Sequence, residues 1–172
     1  MMIIWINGAF GAGKTETANA LHQRIPDSFV YDPENAGYYI RASLPTELQL
    51  DDFQHHPEWR EINHRMLLKI ARSYSGLIIV PMTLVNPEYY EEIIGRLRDD
   101  GVNVQHVTLR ASREVLLERL ARRGDGSESW PAMQIDRCME GLSSSIFEHY
   151  IDTDEITIDL VVNRIIDVAG LD

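Results

Sequence analysis

Cysteine is almost missing from this chain. Cys138 is the only one among 172 residues, so no internal disulfide can form, and the composition suits a reducing, cytoplasmic setting. No stretch reaches the roughly 18 to 20 apolar residues that a membrane span requires. The opening residues, Met1-Met2-Ile3-Ile4-Trp5-Ile6-Asn7, lack the basic n-region and the small-residue cleavage site of a secretory leader, so none is expected. Positive charge is scarce: 16 Lys and Arg stand against 27 Asp and Glu, for a net charge of −11. That imbalance opposes DNA, RNA or an anionic membrane as the main partner. A chelated metal centre is not expected either. His55, His56 and His64 lie near one another in sequence, but His-His-Pro is a poor chelating geometry, and no Cys or acidic ligand set surrounds it.

Repeats, low-complexity runs and linkers are absent as well, which leaves residues 1–172 as one expected domain. Within it, short Ile/Val-rich runs alternate with helical patterns, the mark of an α/β fold on a parallel sheet. Expected strands are Ile3–Ile6, Phe29–Tyr31, Leu77–Val80 stopped by Pro81, Val104–Leu109, and a short edge strand near Tyr150–Asp152. Helices are expected from about Lys14, with Ala18, Leu21 and Ile25 on one face, and over most of 34–73. Asn86 and Pro87 open another, and Ser112 caps the next. Residues 124–130 break the pattern as a mobile loop, a helix from about Ala132 to Leu142 follows, and a closing helix turns Val161, Val162, Ile165 and Ile166 inward. That makes five strands with helices on both faces.

One motif carries chemistry. Gly8-Ala9-Phe10-Gly11-Ala12-Gly13-Lys14-Thr15 matches G-x-x-x-x-G-K-[ST], with a buried strand before it and a helix after it. Glycines let the backbone curl until its N–H groups point at phosphate oxygens, and the helix N-terminus adds its dipole. Lys14 is then placed for the β- and γ-phosphates of ATP, and the Thr15 hydroxyl for Mg²⁺. The alternative, a Gly-rich turn with a surface lysine, does not explain the strand–loop–helix setting.

Phosphoryl transfer also needs charge neutralisation and a destination for the acceptor's proton. Arg119, Arg122 and Arg123 stand beside the Gly-Asp-Gly loop, and Arg137 follows it. Arginines on a flap can close over a triphosphate. Of the first three, Arg119 and Arg123 are one turn apart on one face; a solvated basic helix end is the alternative. Asp32, at the carboxyl end of the second strand, is the candidate base, because open parallel sheets bind ligands along that edge. It can instead hold Mg²⁺ through water, or be a turn aspartate before Pro33. A carboxylate that commonly ends the third strand to hold magnesium is replaced by Pro81-Met82-Thr83, which makes Thr83 a candidate contact for substrate or a metal-bound water. Tyr38, Tyr39, Leu44, Leu48, Phe53, Trp59 and Met66 line an acceptor groove or fill the core.

Taken together, strand, phosphate loop, second strand, the acceptor-type helix segment Tyr39-Ile40-Arg41-Ala42 and an arginine-bearing lid resemble the nucleoside-monophosphate-kinase-like P-loop kinases. That resemblance implies sheet order 2-3-1-4-5, an acceptor region at about 34–73 that includes Arg41, and a lid at about 119–137. A closer resemblance is to the bacterial tunicamycin-resistance ATP-binding proteins. It rests on Ile3–Gly11, Tyr31-Asp32-Pro33-Glu34, Ile79-Val80-Pro81-Met82-Thr83, Glu92–Arg98 and Gln134–Ser144. It implies ATP binding and resistance to tunicamycin, a uridine-containing nucleoside antibiotic, with the drug either phosphorylated or sequestered; a housekeeping nucleoside or nucleotide kinase, with resistance a side effect, is the third reading. Family members can carry a longer amphipathic tail, whereas this sequence stops at Asp172, so membrane association is not expected. Neutral Met82-Thr83 suits an uncharged, hydroxyl-bearing acceptor better than a nucleotide.

Overall fold

A computed structural model describes residues 2–171. Strand β1 (Met2–Gly8) lies at the centre of the sheet, with Ile3, Ile4, Trp5 and Ile6 fully buried. Each such side chain contributes roughly 1.5–3 kcal/mol by leaving water. Burial on both faces explains why this strand reads as an unbroken apolar run. It pairs in parallel with β3 (Leu77–Pro81) on one side and β4 (Asn103–Arg110) on the other. Beyond them, β2 (Ser28–Val30) and β5 (Tyr150–Asp152) form the edges, giving the order β2-β3-β1-β4-β5.

The strands run where the sequence predicts, with small shifts at their ends. Strand β2 begins at Ser28, yet the Tyr31 N–H still donates to the Ile79 carbonyl at 2.9 Å and carries the extended chain on to Asp32. Pro81 stays in register with Ile6 at the end of β3; a strand terminus tolerates its missing N–H.

Helix α1 (Lys14–Arg24) follows the glycine loop and buries Thr17, Ala18 and Leu21. Gly13 precedes it at φ 93°, in the left-handed region that glycine enters without strain. Helix α2 (Glu34–Ser43), two 3₁₀ turns at Thr46–Leu48 and Phe53–His55, and α3 (Pro57–Ser73) cover the β2 side of the sheet's carboxyl edge. The Asn86-capped segment comprises α4 (Pro87–Tyr90), a π-helical turn (Glu91–Gly95) and α5 (Arg96–Asp99).

Ser112 caps α6 (Arg113–Arg122) by accepting from the Val115 N–H. The helix expected from Ala132 is instead α7 (Trp130–Met133) and α8 (Ile135–Gly141), which meet at Gln134. Ser129 caps and Pro131 pre-shapes the first turn, so helix begins two residues early. Helix α9 (Ile158–Ala169) closes the chain with Val161, Val162 and Ile165 buried. Among the described residues, no helix is long and apolar enough to cross a membrane.

Candidate functional site

Two cavities flank the phosphate loop at the carboxyl edge of the sheet, and both are lined by Lys14, Thr15 and Arg123. The larger, 770 Å³, is walled by Phe10, Asp32, Glu34, Tyr38, Arg41, Asp51, Asp52, Phe53, Met82, Thr83 and Trp130 among others. The smaller, 520 Å³, lies over Gly11–Thr17 and is bounded by Arg119, Arg122, Thr153, Ile156, Thr157, Ile158 and Val161.

Lys14 sits at their junction. Its ammonium donates to the carbonyls of Gly8 (3.1 Å) and Ala9 (2.9 Å), and it lies 5.5 Å from the Phe10 ring centroid. Its side chain keeps some surface in contact with solvent, but the ammonium is packed among protein atoms. Burial therefore lowers its pKa to about 8. A desolvated cation held only by carbonyl dipoles fits an incoming phosphate, whose charge restores what burial removes. Thr15, exposed at the start of α1, lines both cavities, as a ligand to a phosphate-bound Mg²⁺ must.

The loop's first residues are anchored by a buried hub. Asn7 Oδ1 accepts from the N–H groups of Gly8 and Leu84, both at 2.8 Å. Its amide donates to the Leu84 carbonyl (2.7 Å) and to Nε2 of His106 (3.1 Å). These bonds fix the amide's orientation and make Nε2 the acceptor, so the imidazole is neutral with its proton on Nδ1. Burial pushes the His106 pKa down to about 3. Thr83, also buried, donates its hydroxyl to the Gly8 carbonyl at 2.7 Å, and Gln54 donates to the Thr83 carbonyl at 2.6 Å. The loop after β3 is thus tied to both the phosphate loop and the acceptor segment. Sequence reading missed Asn7; its only signal was one polar residue ending an apolar strand.

Asp32 lines the larger cavity beside Lys14 and Thr15. Its Oδ1 also accepts from the Glu34 N–H at 2.9 Å, so the turn role and the place in the cavity coexist. Glu34 Oε2 accepts from the Tyr38 hydroxyl at 2.8 Å. Arg41 reaches the same cavity with its guanidinium 5.9 Å from the Phe53 ring centroid. Helix α2 packs so closely on this ring that a Cβ on Gly37 would come within 2.5 Å of it. From the far side, Arg60 donates to the Gln54 carbonyl and to Glu92, both at 2.6 Å, and holds the 53–55 turn in place.

The aromatic residues divide between wall and core. Tyr38 and Phe53 line the cavity, whereas Trp59 is fully buried and donates to the Pro33 carbonyl at 3.0 Å. Tyr39 is largely exposed and does not line it.

The arginines also separate. Arg123 lines both cavities and pairs with Asp125. Arg119 lines the smaller one, with its guanidinium held by Thr153 Oγ1 (3.0 Å) and the Thr153 carbonyl (2.7 Å). Arg137 lines neither of these two cavities: it lies 3.5 Å from Asp52 and bonds Gln134, and it lines two adjoining cavities, one of which shares Glu34, Asp52, Phe53 and Thr83 with the larger. Ile135 and Cys138 turn inward on α8, which directs Arg137 toward the 51–55 segment. Thr83 lines the larger cavity, where its hydroxyl, whose hydrogen goes to the Gly8 carbonyl, can act only as an acceptor. Asp51 and Asp52, unremarked in the sequence, join the acceptor wall. The lid segment meets the phosphate loop through Phe10 and Trp130, whose rings pack edge-to-face at 5.2 Å. No group of side chains among the described residues forms a chelating metal cluster.

The family model described as an AAA domain matches residues 3–143. The chain is similar to the tunicamycin resistance protein of Deinococcus radiodurans, at 35% identity and TM-score 0.83, covering 99% of this chain and 96% of that one. Two kinases share the fold at lower identity. The Mycobacterium tuberculosis APS kinase, solved with AMPPNP and APS, gives TM-score 0.64 at 16% identity, with 98% and 97% of the chains covered. Shikimate kinase from Bacteroides thetaiotaomicron gives TM-score 0.62 at 19%, with 99% of each covered. No curated protein matches the chain.

Proposed function

Because this chain belongs to the family of the tunicamycin-resistance protein, on a P-loop kinase-like AAA domain, we propose that it transfers the γ-phosphoryl group of ATP to a hydroxyl of tunicamycin or a related nucleoside. One observation carries the proposal: a carboxylate, Asp32, lines the same cavity as Lys14 and Thr15.

The smaller cavity suits the nucleoside end of ATP, with Ile156, Ile158 and Val161 as its apolar floor and Arg119 fixed by Thr153 along its wall. The backbone of Gly8–Thr15 cradles the phosphates. The Thr15 hydroxyl would hold the Mg²⁺ that accompanies ATP, which would supply charge neutralisation to the phosphates. Lys14 exchanges its two carbonyl partners for phosphate oxygens, and Arg123, facing both cavities, adds charge between donor and acceptor. Asp32 accepts the proton of the attacking hydroxyl. The new bond joins that oxygen to the γ-phosphorus, the bond from phosphorus to the β,γ-bridging oxygen breaks, and ADP leaves. Trp130, packed on Phe10, closes the cavity's mouth toward water.

Incubation with γ-labelled ATP and tunicamycin tests this. Label in the antibiotic, or one added phosphoryl group by mass, is the expected result. Unlabelled drug at saturating concentrations of both counts against it. A second reading, ATP-dependent sequestration without chemistry, draws support from the strand β3 terminus. There Pro81-Met82-Thr83 stands where a magnesium-holding carboxylate commonly ends the strand, and Thr83 spends its hydroxyl on Gly8.

A further inference from the structure

The acceptor cavity has a charge pattern of its own. Four carboxylates line it, Asp32, Glu34, Asp51 and Asp52, against three cations, Lys14, Arg41 and Arg123. Two of those cations, Lys14 and Arg123, also line the nucleotide cavity, and the phosphates of ATP claim them. Arg41 then remains as the cation lining the acceptor cavity, resting toward the Phe53 ring, and Arg137 offsets Asp52 from an adjoining cavity, which leaves Asp32, Glu34 and Asp51 in excess. Each carboxylate with a bond inside the cavity wall engages one oxygen. Asp32 Oδ1 takes the Glu34 N–H, Glu34 Oε2 the Tyr38 hydroxyl, and Asp52 Oδ1 the Gln54 N–H. The second oxygens of Asp32 and Glu34 keep acceptor capacity for hydroxyl or ammonium donors, whereas Asp52 Oδ2 lies 3.5 Å from the Arg137 guanidinium. Tyr38, Phe53 and the Phe10–Trp130 pair supply apolar faces on which a flat ring can lie.

We infer that the site selects a ring-bearing polyol with no negative charge, and that Glu34 and Asp51 are specificity residues rejecting phosphorylated acceptors. This rests on the phosphotransfer reading for the cavity's role, but the charge preference is a binding property that exists whether or not transfer follows. The physical basis is twofold. Hydroxyl and ammonium groups donate to carboxylates, whereas a phosphate or carboxylate offers only acceptors and like charge. With ATP in place the local field becomes more negative still, so the bias grows just when an acceptor must bind.

Calorimetry on the intact chain, saturated with a non-hydrolysable ATP analogue and Mg²⁺, tests it with three ligands of one scaffold: uridine, uridine 5′-monophosphate and 5′-amino-5′-deoxyuridine. The amine and uridine are expected to bind more tightly than the monophosphate by about tenfold or more. Glu34→Gln and Asp51→Asn, both at positions with solvent access, are expected to narrow that ratio several-fold. Monophosphate binding equal to or tighter than uridine overturns the inference. So does a ratio that neither substitution moves, or absence of binding by all three ligands. Failure of phosphoryl transfer with the ratio intact instead removes only the proposed chemistry.

Discussion

The two cavities beside the phosphate loop share Lys14, Thr15 and Arg123, yet their remaining walls have opposite character. On the nucleotide side stand Arg119 and Arg122 with Glu16 the only acid, on a floor of Ile156, Ile158 and Val161. Across the loop, Asp32, Glu34, Asp51 and Asp52 share a wall with Arg41, and Arg137 reaches Asp52 from an adjoining cavity. A chain with net charge −11 concentrates positive charge in the cavity proposed for the triphosphate and leaves acid in the one proposed for the acceptor. On the proposed reading, donor and acceptor are discriminated by the sign of the wall as well as by shape. The shared residues mark the line along which a phosphoryl group would cross.

Single substitutions and pH act on the two sides of the loop differently. The largest effect is expected from Lys14→Met, which removes the shared cation without adding bulk. Transfer should fall by about 10³-fold or more, and calorimetric ATP affinity should fall with it, while acceptor affinity measured without nucleotide changes little. Next is pH. Burial holds the free Lys14 near 8, and bound phosphate raises it, so the complex retains a proton that the free protein loses. ATP affinity should be level below pH 8 and fall as pH rises beyond it, by up to about tenfold per unit. Lys14→Arg, always charged, should flatten that profile in the same calorimetric series.

A smaller effect confined to the acceptor side is expected from Gly37→Ala. The added methyl meets the Phe53 ring at 2.5 Å and must displace it. Steady-state kinetics should show acceptor KM raised several-fold and the KM for ATP unchanged, with a stability loss of about 1–3 kcal/mol. The smallest concerns the hub beneath both cavities. His106 has its folded pKa depressed from 6.5 to about 3, so the unfolded chain takes up a proton that the native state refuses. Its contribution to stability is whole above pH 6.5 and declines as pH falls from there toward 3. Melting temperatures of the wild type and His106→Gln should converge over that window.

Much of this was legible in the sequence, for reasons that residues make plain. Ile3–Ile6 and Leu77–Val80 are buried on both faces, so their apolar runs announce strands. The glycine loop is legible because its left-handed positions, Gly11 at φ 84° and Gly13 at φ 93°, require glycine locally. Local caps at Ser112 and Asn86 gave true helix starts. What sequence could not show depends on residues far apart. Asn7 meets Leu84 across 77 positions and His106 across 99. Asp51 and Asp52 become a cavity wall because Arg60 and Gln54 hold their turn in place. Arg137 was grouped with Arg119 and Arg123 by proximity in sequence, but the inward anchors of α8 turn it to Asp52. The Gly37–Phe53 contact left no local trace at all.

The central claim is that Asp32 takes a proton during phosphoryl transfer, and Asp32→Asn addresses it most directly. The substitution keeps the size and the bond to the Glu34 N–H but removes the base. Single-turnover transfer from γ-labelled ATP to tunicamycin should fall by roughly 10²–10⁴-fold, with ATP affinity within about twofold of the wild type. An undiminished transfer rate, or full tunicamycin resistance in cells carrying Asp32→Asn as their only copy, would contradict the account.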